Sequence, residues 1–197
     1  MPKIILASSS PRRKELLRQI IGDNFIIETS SYEENNAFKT TPKNLVMHHS
    51  REKGRAVAKH FKNGIVISAD TVVVFKNKIL GKPHTEENAV QMLKRISGSY
   101  VNVITGLTVI DIKNGKEITN YEITKVKIKK LRDKEILNYV KSGEPLDKAG
   151  AFGIQGKGAI FIEKIDGCYF NVVGLPLFKL NKIFMQIGIN IFELKSR

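Results

Sequence analysis

The chain has 197 residues, 42% of them hydrophobic and 26% charged, which is enough apolar material for a packed core and excludes a disordered chain. Its single cysteine, Cys168, excludes an internal disulfide and a cysteine-based metal finger, and fits a reducing compartment. A net charge of +14, from 33 Lys and Arg against 19 Asp and Glu, favours anionic partners: nucleic acid, nucleotides or an acidic membrane surface.

In chain order, KIILAS (3–8) predicts a buried strand. Its apolar run is too short for a signal peptide. No stretch approaches the roughly 18 apolar residues that cross a membrane. A soluble, cytoplasmic protein is the expectation. Pro11 to about Ile20 predicts a helix, with Ser10 as cap and Pro11 at the first helical position. That helix begins with Arg12, Arg13 and Lys14, although a helix start carries partial positive charge and prefers acids. Either the arginines swing to solvent or pair with Glu15 or a distant acid, or an anion sits there. A phosphate would meet free backbone N–H groups, the hydroxyls of Ser8, Ser9 and Ser10, and two guanidinium groups. The stretch is not a P-loop, because G-x-x-x-x-G-K-[ST] is absent.

NFIIE (24–28) predicts a short strand, followed by polar loop residues to Thr41. SSYEEN (30–35) places Glu33 and Glu34 after that strand. Such acids are either simply solvated or hard oxygen ligands for Mg²⁺. Pro42 to His60 predicts a long helix. GIVISADTVVVF (64–75) predicts a strand over Ile65 to Phe75 with a carboxylate, Asp70, inside a β-branched run. Buried unpaired, that carboxylate is costly. It needs a cation, a metal or a set of donors, or else a turn at Ala-Asp-Thr lets it bond its own backbone.

LGKPH (80–84) holds Lys82 on an extended segment, and Glu86 to Ile96 predicts a helix. Val101 to Ile112 and Lys116 to Leu131 predict two long strands joined by a Lys-Asn-Gly turn. The densest basic run, KVKIKKLRDK (125–134), alternates like a solvated strand face, so scattered solubilising charge competes with a nucleic-acid surface. Asp133 to Lys141 predicts a helix closed by Gly143. SGEPLDKAGAFGIQGKGA (142–159) is a glycine-punctuated loop that lets backbone approach a ligand, with Gln155 inside it. Ala159 to Lys164 and Tyr169 to Val173 predict strands, and Leu177 to Met185 a last helix. The alternation predicts an α/β protein with a mixed sheet whose middle third forms a second lobe. No zinc site is legible: His48 and His49 are adjacent on a helix and diverge.

LASSSPRRKELL (6–17), REK (51–53), SADTVV (68–73), GKP (81–83), SGEPLDKAGAFGIQGKGA (142–159) and VVGLP (172–176), in that order and spacing, resemble the Maf proteins. The resemblance spans nearly the whole chain. It implies a single Maf/ITPase-like domain over 1–197: an elongated mixed β-sheet with flanking helices, in two lobes around a central cleft. It implies a nucleoside triphosphate pyrophosphatase that releases a nucleoside monophosphate and pyrophosphate, needs a divalent metal (Mg²⁺ first, Mn²⁺ or Co²⁺ as alternatives) and often dimerises. Some members are associated with septum formation.

Within the family, Arg12, Thr71 and Gln155 match the branch acting on dTTP and UTP, where they would read the base. Arg13, Lys53 and Lys82 match the cations for the triphosphate, and Ser8 lies on the loop that approaches it. Asp70 matches the proton acceptor that activates water, and Glu33 with Asp70 the metal carboxylates. Where many members show Asp-Glu this chain has Glu33-Glu34, which leaves open which acid serves the metal. The competing reading is a basic nucleic-acid-binding or cell-division regulatory protein without catalysis. The absence of aromatics interleaved with the basic run counts against a single-strand platform.

Overall fold

The computed structural model describes residues 2–34 and 40–194. Positions 35–39, the end of the SYEENNAFK stretch read above, lie outside them. The strands are β1 (Ile4–Leu6), β2 (Phe25–Ile27), β3 (Ile65–Phe75), β4 (Lys78–Leu80), β5 (Tyr100–Asp111), β6 (Lys116–Ile128) and β7 (Ile162–Asp166). The helices are α1 (Pro11–Ile21), α2 (Pro42–Ala58), α3 (Glu86–Ile96), α4 (Asp133–Val140), α5 (Tyr169–Val173) and α6 (Leu177–Gln186). The strands form one seven-stranded sheet in the order β2-β1-β3-β5-β6-β7, with β4 on β3. β1 pairs parallel with β2 and β3, whereas β3–β4 and β6–β7 are antiparallel, so the sheet is mixed as expected.

The chain divides into two compact units. The first comprises residues 1–70, 105–122 and 174–197, the second 71–104 and 123–173. In the first, the short β1 is buried throughout, as a parallel strand covered on both faces must be. Ile5, Ala7, Val57, Val66 and Ile110 pack together there. In the second, α3 and α4 cover Val101, Val103, Val126 and Ile128. Leu93, Ile96 and Phe161 in that core are at most 1% exposed, and each such side chain stabilises by about 1.5–3 kcal/mol.

Two expectations are corrected. Tyr169 to Val173 is a helix, not a strand. Its conformation is set by Asn171, whose Nδ2 donates to the Val103 carbonyl and to Thr124 Oγ1 at 3.0 Å each, and by Cys168, whose N–H donates to the same Thr124 oxygen. The two valines that suggested a strand do not outweigh those bonds. Ala159 likewise lies in a 3₁₀ turn over Lys157–Phe161, and the strand begins only at Ile162. The sequence reading also missed β4. Lys76 and Asn77 take left-handed conformations (φ 46° and 62°) and reverse the chain from β3 into β4 in a two-residue turn.

Candidate active site

In the first unit, β1 runs into the serine loop and α1. Ser10 caps α1 by accepting from the Arg13 N–H at 3.4 Å, and Pro11 follows at the first helical position. No acid lies in the first turn. Arg13 folds back: its Nε donates to the Gly174 carbonyl at 2.8 Å and its Nη1 to Ser8 Oγ at 3.4 Å. Burial lowers the Arg13 pKa, against the charge of Asp70, which opposes the shift. Ser8, itself buried, also accepts from the Ser10 N–H at 3.2 Å. Arg12 makes no hydrogen bond or ion pair among the described residues, and its charge acts on the neighbouring Arg13.

α2 supplies the next cation. Thr41 caps it and Pro42 starts it. Gly54 brings it close to β3: a Cβ there would lie 2.6 Å from Ser68 Oγ, which itself donates to the Ser50 carbonyl at 2.6 Å. One residue before Gly54 is Lys53, and two after Ser68 is Asp70. The close approach therefore sets Lys53 Nζ 2.7 Å from Asp70 Oδ1. The same ammonium lies 2.6 Å from Glu34 Oε1. Asp70 is 6% exposed, so its charge is paired and not merely solvated. Burial would raise the Glu34 carboxyl, but Lys53 outweighs it and holds the pKa below the usual range. Glu33 is exposed and outside this cluster.

Tyr32, which the sequence reading did not single out, and His49, which it read only as no zinc ligand, lie within electrostatic reach of Glu34. Tyr32 OH and His49 Nδ1 share a hydrogen bond at 2.9 Å, and His49 lies one helical turn before Lys53. Burial lowers the His49 pKa, against the nearby charges of Asp70 and Glu34, which oppose the shift. Its only legible signal is a histidine at helical spacing from Lys53.

Glu34 and Asp70 are the carboxylates that converge on one point, marked by the ammonium. Among the described residues no three His, Cys, Asp or Glu side chains cluster as a metal cage. Two convergent carboxylates fit Mg²⁺, which keeps several waters and takes its remaining oxygens from substrate phosphates.

In the second unit, Thr71 follows Asp70 along β3 and is half-buried. Lys82 is exposed after β4. Gln155 is exposed in the glycine loop.

The chain matches known proteins along nearly its full length. The profile of the Maf-like protein family matches residues 3–187. A dTTP/UTP pyrophosphatase of Methanosarcina barkeri is 58% identical, covering 98% of this chain and 98% of that one. Those of Methanosarcina mazei and Clostridium botulinum (strain Kyoto) are 54% and 47% identical, with 98% and 97% of this chain covered and 98% and 100% of theirs. Among solved structures, a HAM1 protein from Coxiella burnetii shares the fold, with a TM-score of 0.54 at 16% identity over 94% of this chain and all of the other. The sequence blocks that open at the serine loop and end at Pro176, the mixed sheet and these relatives agree: the chain belongs to the Maf family.

Proposed function

We propose that the chain hydrolyses dTTP and UTP to the nucleoside monophosphate and pyrophosphate. The observation that carries this reading is the Lys53 ammonium bridging Glu34 and Asp70, in a family whose relatives carry that activity in their names. Two carboxylates held at one point by a movable cation suit a polyanionic substrate. When the triphosphate arrives, Lys53 and Arg13 turn to its oxygens and Asp70 is released from its ion pair. Asp70 then accepts a proton from water as the water oxygen bonds to the α-phosphorus. The bond from that phosphorus to the bridging oxygen breaks, and pyrophosphate leaves. A divalent metal, Mg²⁺ in first place and Mn²⁺ or Co²⁺ after it, would supply positive charge against the phosphate oxygens. Glu34 and Asp70 would hold it, so Glu34 takes the role that the family pattern offered to Glu33.

The family motif assigns Ser8 to the phosphate-binding loop, Lys82 to a phosphate, and Arg12, Thr71 and Gln155 to the base. A thymine or uracil imide edge carries both C=O and N–H, which an arginine fork, a hydroxyl and a carboxamide can satisfy together. We further propose a single domain over 1–197 that works in the cytoplasm as a homodimer. Light scattering tests the dimer.

The enzymatic reading is tested by pyrophosphate release from dTTP, UTP, CTP, GTP, ATP and 7-methyl-GTP, with Mg²⁺ and then with EDTA. Metal-dependent release led by dTTP and UTP is expected. Release led by another nucleotide would refute the base assignment, and no release from a folded sample would refute the enzyme.

A further inference from the structure

The second unit contains a built hydrogen-bond hub that none of the assigned roles uses. Tyr139 lies in the last turn of α4 with its ring buried edge-on against Phe161 at 4.9 Å between centroids. Its hydroxyl donates to Glu144 Oε1 at 3.0 Å and accepts from the Gly153 N–H at 3.3 Å. Glu144 Oε1 also accepts from the Gly158 N–H at 3.1 Å, and Oε2 from the Lys157 N–H at 2.8 Å. Two side chains therefore hold three backbone amides of one loop. Gln155 lies between those amides, with its own side chain exposed.

The glycines are spaced for this hub. A Cβ at Gly156 would lie 2.6 Å from the Glu144 carboxyl carbon, and one at Gly158 would lie 2.7 Å from the Tyr139 oxygen. A side chain at 156 would displace the Glu144 carboxylate or the loop, and one at 158 would also meet the Gly153 backbone. Three donors converge on the carboxylate, which in its ionised form is acceptor-only. A glutamine at 144 would turn its NH₂ toward at least one N–H donor. The chemistry therefore demands an anion here.

We propose that Tyr139 and Glu144 are positioning residues for base specificity: they fix the backbone on both sides of Gln155, so that its carboxamide meets the base at one depth and angle. This rests on the reading of Gln155 as a base-recognition residue. A recognition group on a loose loop would adapt to the wrong base as readily as to the right one, and a pinned loop leaves the wrong base with unpaired polar groups.

The experiment combines amide hydrogen exchange with kinetics on the full chain. Glu144→Gln is expected to speed exchange at the Lys157 and Gly158 amides by about tenfold or more, the loss of one charge-assisted hydrogen bond. Tyr139→Phe is expected to do so at Gly153. In both variants the ratio of kcat/KM for dTTP over CTP should fall by roughly tenfold, mainly through KM for dTTP, and Gln155→Ala in the same background should lower it little further. Unchanged exchange in both variants overturns the hub. Faster exchange with an unchanged ratio, while Gln155→Ala alone lowers the ratio, overturns its link to specificity. An unchanged ratio in Gln155→Ala alone overturns the reading of Gln155 and the specificity role with it, whereas the exchange rates still decide whether the hub exists. Should Glu144→Gln fail to fold, Tyr139→Phe carries the test.

Discussion

Helices α1 and α3 have 11 residues each and a hydroxyl cap each, Ser10 and Thr85, and both are basic in the last turn, yet their first turns carry opposite charge. α3 carries Glu86 and Glu87 in its first turn and Lys94 and Arg95 in its last, as the helix dipole favours. α1 opens with two arginines and no acid. The contrast extends to the polar clusters of the two units. In the first, Lys53, Glu34 and Asp70 are held chiefly by charge, and the proposed function has each exchange its partner for a phosphate, a metal or a proton. In the second, Glu144 and Tyr139 are held by each other and by three backbone amides of one loop. Exchangeable pairing suits groups that take part in a reaction, and fixed pairing suits groups that hold a frame for one.

The sharpest way to break this comparison is Asp70→Asn. It removes the proposed proton acceptor while keeping shape, so turnover should fall about 10²–10⁴-fold with the thermal midpoint little changed. Wild-type turnover would deny Asp70 its role. Leu93→Ala probes the frame instead. It should cost about 2–5 kcal/mol in denaturant titrations, since Leu93 is fully buried between α3 and the strands of its unit.

Lys53→Met sharpens the exchange argument. The triphosphate KM should rise by roughly tenfold, the loss of one charge-assisted contact. Glu34 and Asp70, left without their shared cation, should bind Mn²⁺ more tightly in the absence of nucleotide, as calorimetry would read. Unaltered Mn²⁺ affinity would mean that the two carboxylates do not form the metal's seat.

The smallest effect is pH-dependent. Burial would raise the Glu144 carboxyl, but the Gly158 and Lys157 amides and the Tyr139 hydroxyl outweigh it and depress the pKa. Its contribution is present above the unfolded value of about 4.3 and is lost as pH falls through the lower folded value. Exchange at Lys157 and Gly158, corrected for intrinsic rates, should accelerate across that acidic window in the wild type and not in Glu144→Gln.

Much of this was legible in the sequence. Ile65 to Phe75 reads as a strand because its β-branched run is long, and Asp70 stands out inside it as a charge that needs a partner. The helices with proline or a hydroxyl at their start were equally legible. The short elements were not. The β4 hairpin depends on two left-handed residues without a glycine, and α5 on side-chain bonds from Asn171 to residues far along the chain. The choice between Glu33 and Glu34 was undecidable because neighbouring residues in an irregular segment carry no periodicity. The Tyr139–Glu144 hub was hidden for a different reason: its partners are backbone N–H groups, which the letters of a sequence do not display.

The most direct test of the central claim is hydrolysis of dTTP in water enriched in ¹⁸O, with mass analysis of both products. Attack on the α-phosphorus predicts the label in the nucleoside monophosphate and none in the pyrophosphate. Label in pyrophosphate, or release of orthophosphate in its place, would contradict the account.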